Sequence, residues 1–230
     1  MNDMTRPDAD DPPYLHPGYA STLARSPREP LLRIPAGTLD VPGPTVPQGF
    51  VRSGDNDLTI HGSSAPLGEK MVLTGRLLDA EGRPIRRSLI EIWQANAAGR
   101  YAHPGDRHEA PLDPNFTGMG RTFTDDEGRY RFVTVKPGAY PWKNHRFAWR
   151  PQHIHFSLLG NAPVQRLVTQ MYFPGDPLLA IDPIWNSVPD EAARKRMVCG
   201  LALETGIEEV ALGYVFDIVL GGARATPLGI

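Results

Sequence analysis

From residue 71 onward the chain is written in short apolar runs punctuated by glycine, proline and acidic residues. Met71-Val-Leu-Thr-Gly-Arg-Leu-Leu78 reads as a strand, Asp79 to Pro84 as a turn, and Ser88-Leu-Ile-Glu-Ile-Trp-Gln94 as a second strand. Arg121 to Val135 alternates on both sides of Asp126-Glu-Gly128, which predicts a β-hairpin whose glycine supplies the positive φ of the turn. Further strands are expected over 153–159, 166–173 and 209–219. One short helix is expected near 189–198: Ser187 can cap it, proline and acids fill its first turn, bases fill its last, and Gly200 ends it. Strands at short spacing, without regular alternation of strand and helix, predict a mainly β fold, a two-sheet β-sandwich with long loops. Residues 1–66 hold no sustained period, yet Tyr14, Tyr19, Leu31, Leu32, Ile34 and Phe50 make them too apolar for a solvated tail. They are expected to form an irregular N-terminal arm packed on the core or on a partner subunit, leaving 67–230 as a single β-sandwich domain.

Composition sharpens this picture. The 24 prolines and 23 glycines fit many short elements joined by tight turns. A formal net charge of -2, with both signs interspersed, leaves no basic stripe for nucleic acid and no patch for an anionic membrane. The lone Cys199 excludes an internal disulfide, a Cys-based zinc site and a Cys-ligated iron–sulfur cluster, and suits a reducing compartment. The first residues are acidic and proline-rich, and nowhere do about 18 apolar residues run together, so a cytoplasmic protein is expected.

The chemistry concentrates between Gly138 and His155. His153-Ile154-His155 opens the apolar run Phe156-Ser-Leu-Leu159, and residues i and i+2 of a strand share a face, so two imidazoles point into one space. No His-Glu-x-x-His, P-loop or Gly-x-Ser-x-Gly is present, which removes support for zincins, phosphate-loop enzymes and serine hydrolases. A metal held here needs oxygen as well. A carboxylate would complete a facial triad suited to ferrous iron. A tyrosine, with a phenol pKa of about 10, becomes a ligand only to a strong Lewis acid such as ferric iron. Tyr101 and Tyr140 stand in loops after strands, although an isolated tyrosine in such a place is far more often half-buried with a hydrogen-bonded hydroxyl than a ligand. Trp93 is readable as a cleft wall or as core.

Several stretches carry a further signal. Ile90-Glu-Ile-Trp-Gln-Ala-Asn-Ala-Ala-Gly-Arg-Tyr-Ala-His103, Ala110 to Arg121, Val135-Lys-Pro-Gly-Ala-Tyr-Pro-Trp142, Trp149-Arg-Pro-Gln-His-Ile-His-Phe156 and Gln170-Met-Tyr-Phe-Pro-Gly-Asp176 resemble, in order and spacing, the intradiol ring-cleaving dioxygenases. The resemblance runs from about Tyr19 to the C-terminal strand and is strongest to the iron-bearing β chains of the protocatechuate-cleaving branch. It implies one Fe(3+) per chain, held by Tyr101, Tyr140, His153 and His155 with a solvent-derived hydroxide. It implies a catecholic substrate and O2, a role in aromatic catabolism, and a homologous α chain in a hetero-oligomer.

The same resemblance places Arg150 beside the substrate ring as a catalytic cation. It makes Tyr140 the ligand that substrate displaces, and Tyr19, Trp142, Gln170 and Ile184 pocket residues. Two phenolates and a hydroxide would balance the charge of ferric iron. His145 stands where the family pattern suggests a small residue, which leaves its contribution open. Two other readings compete. Dioxygenases for catechol or hydroxyquinol have a helical N-terminal dimerisation segment, unlike the proline-rich residues 1–66. A non-catalytic β-sandwich module would leave the tyrosines and histidines as mere packing.

Overall fold

The computed structural model describes residues 10–30, 46–47, 49–143, 146–147, 149–160 and 166–229. Leu31, Leu32, Ile34 and His145 lie outside the described residues. Strand β1 (Lys70–Asp79) organises one sheet and contributes Met71, Leu73 and Leu77 to the core. On one side it pairs antiparallel with β4 (Arg129–Val135), Leu73 opposite Phe132. On the other it pairs parallel with β10 (Leu212–Val215) and then β11 (Ile218–Leu220). The two-residue β9 (Gly200–Leu201) extends the sheet beyond β10.

The second sheet runs in the order β3 (Met119–Phe123), β2 (Leu89–Trp93), β7 (His153–Leu159), β8 (Arg166–Tyr172), with every neighbour antiparallel. Ile90, Ile92, Ile154, Phe156, Leu158, Leu167 and Met171 pack into the same core as the first sheet, and Phe156 meets Phe216 at 5.3 Å between ring centroids. Each such side chain stabilises by roughly 1.5–3 kcal/mol on full burial. The period of two then turns His153 and His155 to the opposite, outer face of β7. A small ribbon, β5 (Tyr140–Pro141) with β6 (Trp149–Arg150), lies apart from both sheets and sets Tyr140 opposite Arg150.

The architecture is the expected mainly β, two-sheet arrangement, but three local expectations differ. The stretch 121–135 is not a hairpin within one sheet: β3 pairs with β2 while β4 crosses to β1. The turn itself is tight, with Gly128 at φ 73°, but its carbonyl accepts from Leu77 N and draws β4 into the first sheet. The expected strand over 209–219 divides at Phe216-Asp217, where the Asp217 carboxylate takes the Arg76 amide that a ladder carbonyl would otherwise accept. The helix near 189–198 shrinks to α3 (Glu191–Lys195), capped by Asp190, whose carboxylate accepts from Ala193 N at 2.7 Å. Ser187 instead ends α2 (Pro183–Ser187), where its hydroxyl donates to Ile184 O. Both α2 and α1 (Ser21–Arg25) are five residues long, too short to leave a period in the sequence.

Described parts of the arm touch the sandwich. Leu58 is fully buried and its amide donates to Val133 O, Asp10 pairs with Arg196, and the Asp11 carboxylate accepts from Leu228 N. No described helix is long and apolar enough to cross a membrane.

Candidate metal centre

The register of β2, β7 and β8 aligns Trp93, His155 and Gln170 across the outer face, and His153 beside Tyr172. The Trp93 indole stacks on the His155 ring at 4.8 Å and 2°, fixing its plane. His153 Nδ1 donates to the Pro151 carbonyl at 2.7 Å, which leaves the lone pair on Nε2. That nitrogen lies 3.2 Å from His155 Nε2 and 3.3 Å from Tyr140 Oη.

The tyrosines arrive on two loops that touch backbone to backbone. Asn96 Oδ1 accepts from the amides of Ala98 and Arg100, and Asn96 O accepts from Gly138 N. A Cβ on Gly99, at φ 80°, would sit 2.1 Å from Ala139 O, and one on Gly138 would sit 2.5 Å from Ala97 O. Only glycine allows this approach. It sets the Tyr101 and Tyr140 rings edge to face at 5.3 Å. Tyr101 is further pinned where its amide donates to the Asp106 carboxylate.

Arg150 closes the cluster from behind. Its Nε donates to Asp182 Oδ1 at 2.8 Å, and its Nη2 to Asp182 Oδ2 at 3.1 Å, Gln170 Oε1 at 2.6 Å and Tyr172 Oη at 3.2 Å. Nη1 lies 3.3 Å from His153 Nε2. The guanidinium carbon stands 5.1 Å from the Trp142 ring centroid, and Trp142 in turn meets Tyr19 at 5.1 Å. Ile184 is buried on α2 and joins the cluster through the helix cap at Asp182. The sequence pattern did not single out Asp182 or Tyr172, although Asp182-Pro183 is a cap-and-proline signal and Tyr172 shares a strand face with Gln170.

Electrostatics follow from burial. Desolvation, and then the Arg150 charge, hold His155 down at about 3 and His153 well below the usual imidazole range. Both rings are therefore neutral bases. Tyr101 is pushed well above the usual phenol range, by burial first and by Tyr140 next, and its hydroxyl has no hydrogen-bond partner among the described residues. Burial alone would lower Arg150, but Asp182 overrides it and keeps the cation charged.

A buried phenol without a partner, a second phenol and two neutral imidazoles suit one acceptor of electron pairs. Among the described residues no group of three or more His, Cys, Asp or Glu side chains could hold a metal. Among the described residues no carboxylate joins the two histidines in a facial triad, while two phenolates would suit a hard trivalent ion. The donor set fits ferric iron. Beside it opens a cleft of about 1100 Å³ lined by Trp93, Tyr101, Tyr140 and Trp142, with charges of both signs from Asp106, Arg107, Glu109 and Lys143.

The family model described as "Dioxygenase" matches residues 42–222, and that described as "Protocatechuate 3,4-dioxygenase beta subunit N terminal" matches residues 4–36. A protocatechuate 3,4-dioxygenase beta chain of Burkholderia cepacia is 55% identical over 219 residues, covering 94% of this chain and 93% of its own. A hydroxyquinol 1,2-dioxygenase of a Rhizobium strain is 33% identical over 52% of this chain and 42% of its own length. The solved 3-chlorocatechol 1,2-dioxygenase of Rhodococcus opacus matches the fold with a TM-score of 0.57 at 23% identity, over 80% of this chain and 72% of that one. With both sheets, the tyrosine loops and the histidine strand inside the matched region, the chain belongs to the intradiol ring-cleaving dioxygenases.

Proposed function

We propose that this chain is the catalytic β chain of a protocatechuate dioxygenase. It opens the ring of 3,4-dihydroxybenzoate between its two hydroxyl-bearing carbons with O2 to give 3-carboxy-cis,cis-muconate. The observation that carries the reading is the convergence of Tyr140 Oη, His153 Nε2 and His155 Nε2 within 3.3 Å steps, with the partnerless Tyr101 hydroxyl beside them. Identity of 55% to the Burkholderia cepacia chain, over nearly all of both chains, supports protocatechuate over catechol or hydroxyquinol.

Tyr101, Tyr140, His153 and His155 would hold one ferric ion. When bound, the ion supplies the Lewis acidity that makes phenolates stable at neutral pH and draws electron density from a catechol so that its ring carbon can meet dioxygen. The chain's own groups do the rest. A catechol must lose two protons to bind as a dianion, and Tyr140 Oη, on the two-residue β5, is placed to receive one. The imidazoles of His153 and His155 are neutral and so add no positive charge to that step. Trp142 and Tyr19 wall the ring, and with Ile184 they keep water from it. Gln170 fixes Arg150, and Arg150 offers N–H donors toward the charge that develops on the ring. Residues 1–66 serve as an arm between this domain, 67–230, and a homologous α chain in a hetero-oligomer.

The test is the chain co-purified with its α partner. We expect one iron per β chain, a red-brown absorption band bleached by dithionite, and oxygen uptake faster with protocatechuate than with catechol or hydroxyquinol. A colourless protein with stoichiometric zinc, or preference for catechol, would overturn the reading.

A further inference from the structure

We infer that Asp182 is the positioning residue of this cleft, holding the Arg150 guanidinium so that only its Nη1 protons face the reacting ring. The inference deepens the function proposed above and rests on it.

Donor arithmetic carries it. A guanidinium has five N–H bonds in a fixed plane. Nε and one Nη2 proton meet the two oxygens of Asp182 in a fork, and the other Nη2 proton meets Gln170 Oε1 with Tyr172 Oη alongside. The Gln170 amide cannot turn over to release that proton, because its Nε2 donates to the Gly229 carbonyl. Nη1 alone remains on the side of His153, 3.3 Å from Nε2, a long contact that engages at most one of its two protons. At least one Nη1 proton therefore stays available to substrate.

Asp182 is itself immobile. Its side chain is fully buried, accepts from Trp185 N at 3.2 Å as the cap of α2, and lies 3.1 Å from Tyr172 Oη. Its amide donates to Leu178 O and its carbonyl accepts from Asn186 N. One carboxylate thus fixes the cation and, through α2, the wall residue Ile184 two positions on. Because the pair is neutral overall, the ring meets a directed donor rather than an unbalanced charge. Without Asp182 the guanidinium would be held only through Nη2, by Gln170 and Tyr172, and could pivot about its Nε bond and lose that direction.

The experiment uses the iron-loaded enzyme assembled with its α partner. Asp182→Asn keeps the volume and an oxygen for the helix cap, but loses the fork. The expected result is a kcat lower by about 10- to 100-fold, the scale of a misdirected donor to a developing anion. KM should stay within about threefold and iron content and the visible band should be unchanged. Because Asp182 acts through Arg150, the double variant Arg150→Ser/Asp182→Asn should turn over no more slowly than Arg150→Ser. A crystal structure of Asp182→Asn should show the guanidinium turned from its present plane.

Wild-type kcat in Asp182→Asn, full multiplication of the two losses in the double variant, or an unmoved guanidinium would overturn the inference. If Asp182→Asn does not assemble, Asp182→Glu pushes the fork out by one methylene and should also lower kcat with iron retained; wild-type kcat there counts against it. A wild type that fails to cleave protocatechuate would sink the function proposed above, and the guanidinium's position in the variant crystal would still decide the role of Asp182.

Discussion

Removing the Arg150 cation should cost stability and turnover by separate routes, and the two losses can be uncoupled. Arg150 is 2% exposed and Asp182 is fully buried, so Arg150→Ser leaves an anion in the interior with, among the described residues, Trp185 N and Tyr172 Oη as the remaining partners of its side chain. Breaking a buried pair by deleting one partner destabilises by about 3–5 kcal/mol, and the two surviving donors place this case near 3. For a chain of this size each kcal/mol lowers the melting temperature by about 2–4 °C, which gives a fall of roughly 6–12 °C. Deleting the second charge as well, in Arg150→Ser/Asp182→Asn, removes the unpaired anion while an amide oxygen still caps α2. Most of the lost melting temperature should return.

Turnover should not. The Nη1 donors are absent from both variants, so both should remain about 10- to 1000-fold slow, as when a stabilising donor to a developing anion is removed. Thermal melts of the iron-loaded enzyme and oxygen uptake with protocatechuate measure the two quantities on the same preparation. A double variant that melts below Arg150→Ser, or one that regains activity along with stability, would refute the separation.

Tyr140→Phe should retain iron on three protein ligands but show a single tyrosinate contribution before and after substrate is added, with slowed substrate binding. The same signature in Tyr101→Phe instead would reverse the two assignments. Gly99→Ala drives a Cβ to 2.1 Å from Ala139 O at a φ of 80°, so the tyrosine loops must part; a cost of about 1–3 kcal/mol and loss of visible absorbance are expected, and unchanged absorbance would refute the contact. Asp55 is held below the usual carboxylate range, first by the Arg121 side chain, so its contribution to stability is present above the unfolded pKa of about 3.9 and is lost as pH falls through the lower folded value. The melting difference between wild type and Asp55→Asn should therefore vanish in strong acid, and a difference that persists there would count against the ion pair.

Local pattern reveals which way a side chain faces better than what it will meet. The alternation around His153-Ile154-His155 sufficed to put both imidazoles on one side of a strand and Ile154 in the core, because face is set by a period of two and nothing else. The stretch 121–135 carried an equally clear alternation, yet its two halves joined different sheets, since partner choice was decided by β1 some fifty residues away. The candidate ligands were legible for a related reason: histidine and tyrosine announce their chemistry by type, and the motifs around Tyr101 and Tyr140 resembled those of a known family. Asp182 announced something else. In its own window it is an aspartate before a proline, and that window explains it completely as a helix cap. Its second role exists only because β6 brings Arg150 against it from 32 residues upstream. A residue with a sufficient local explanation hides a distant one, so the groups that orient a reacting centre are harder to read from sequence than the groups that form it.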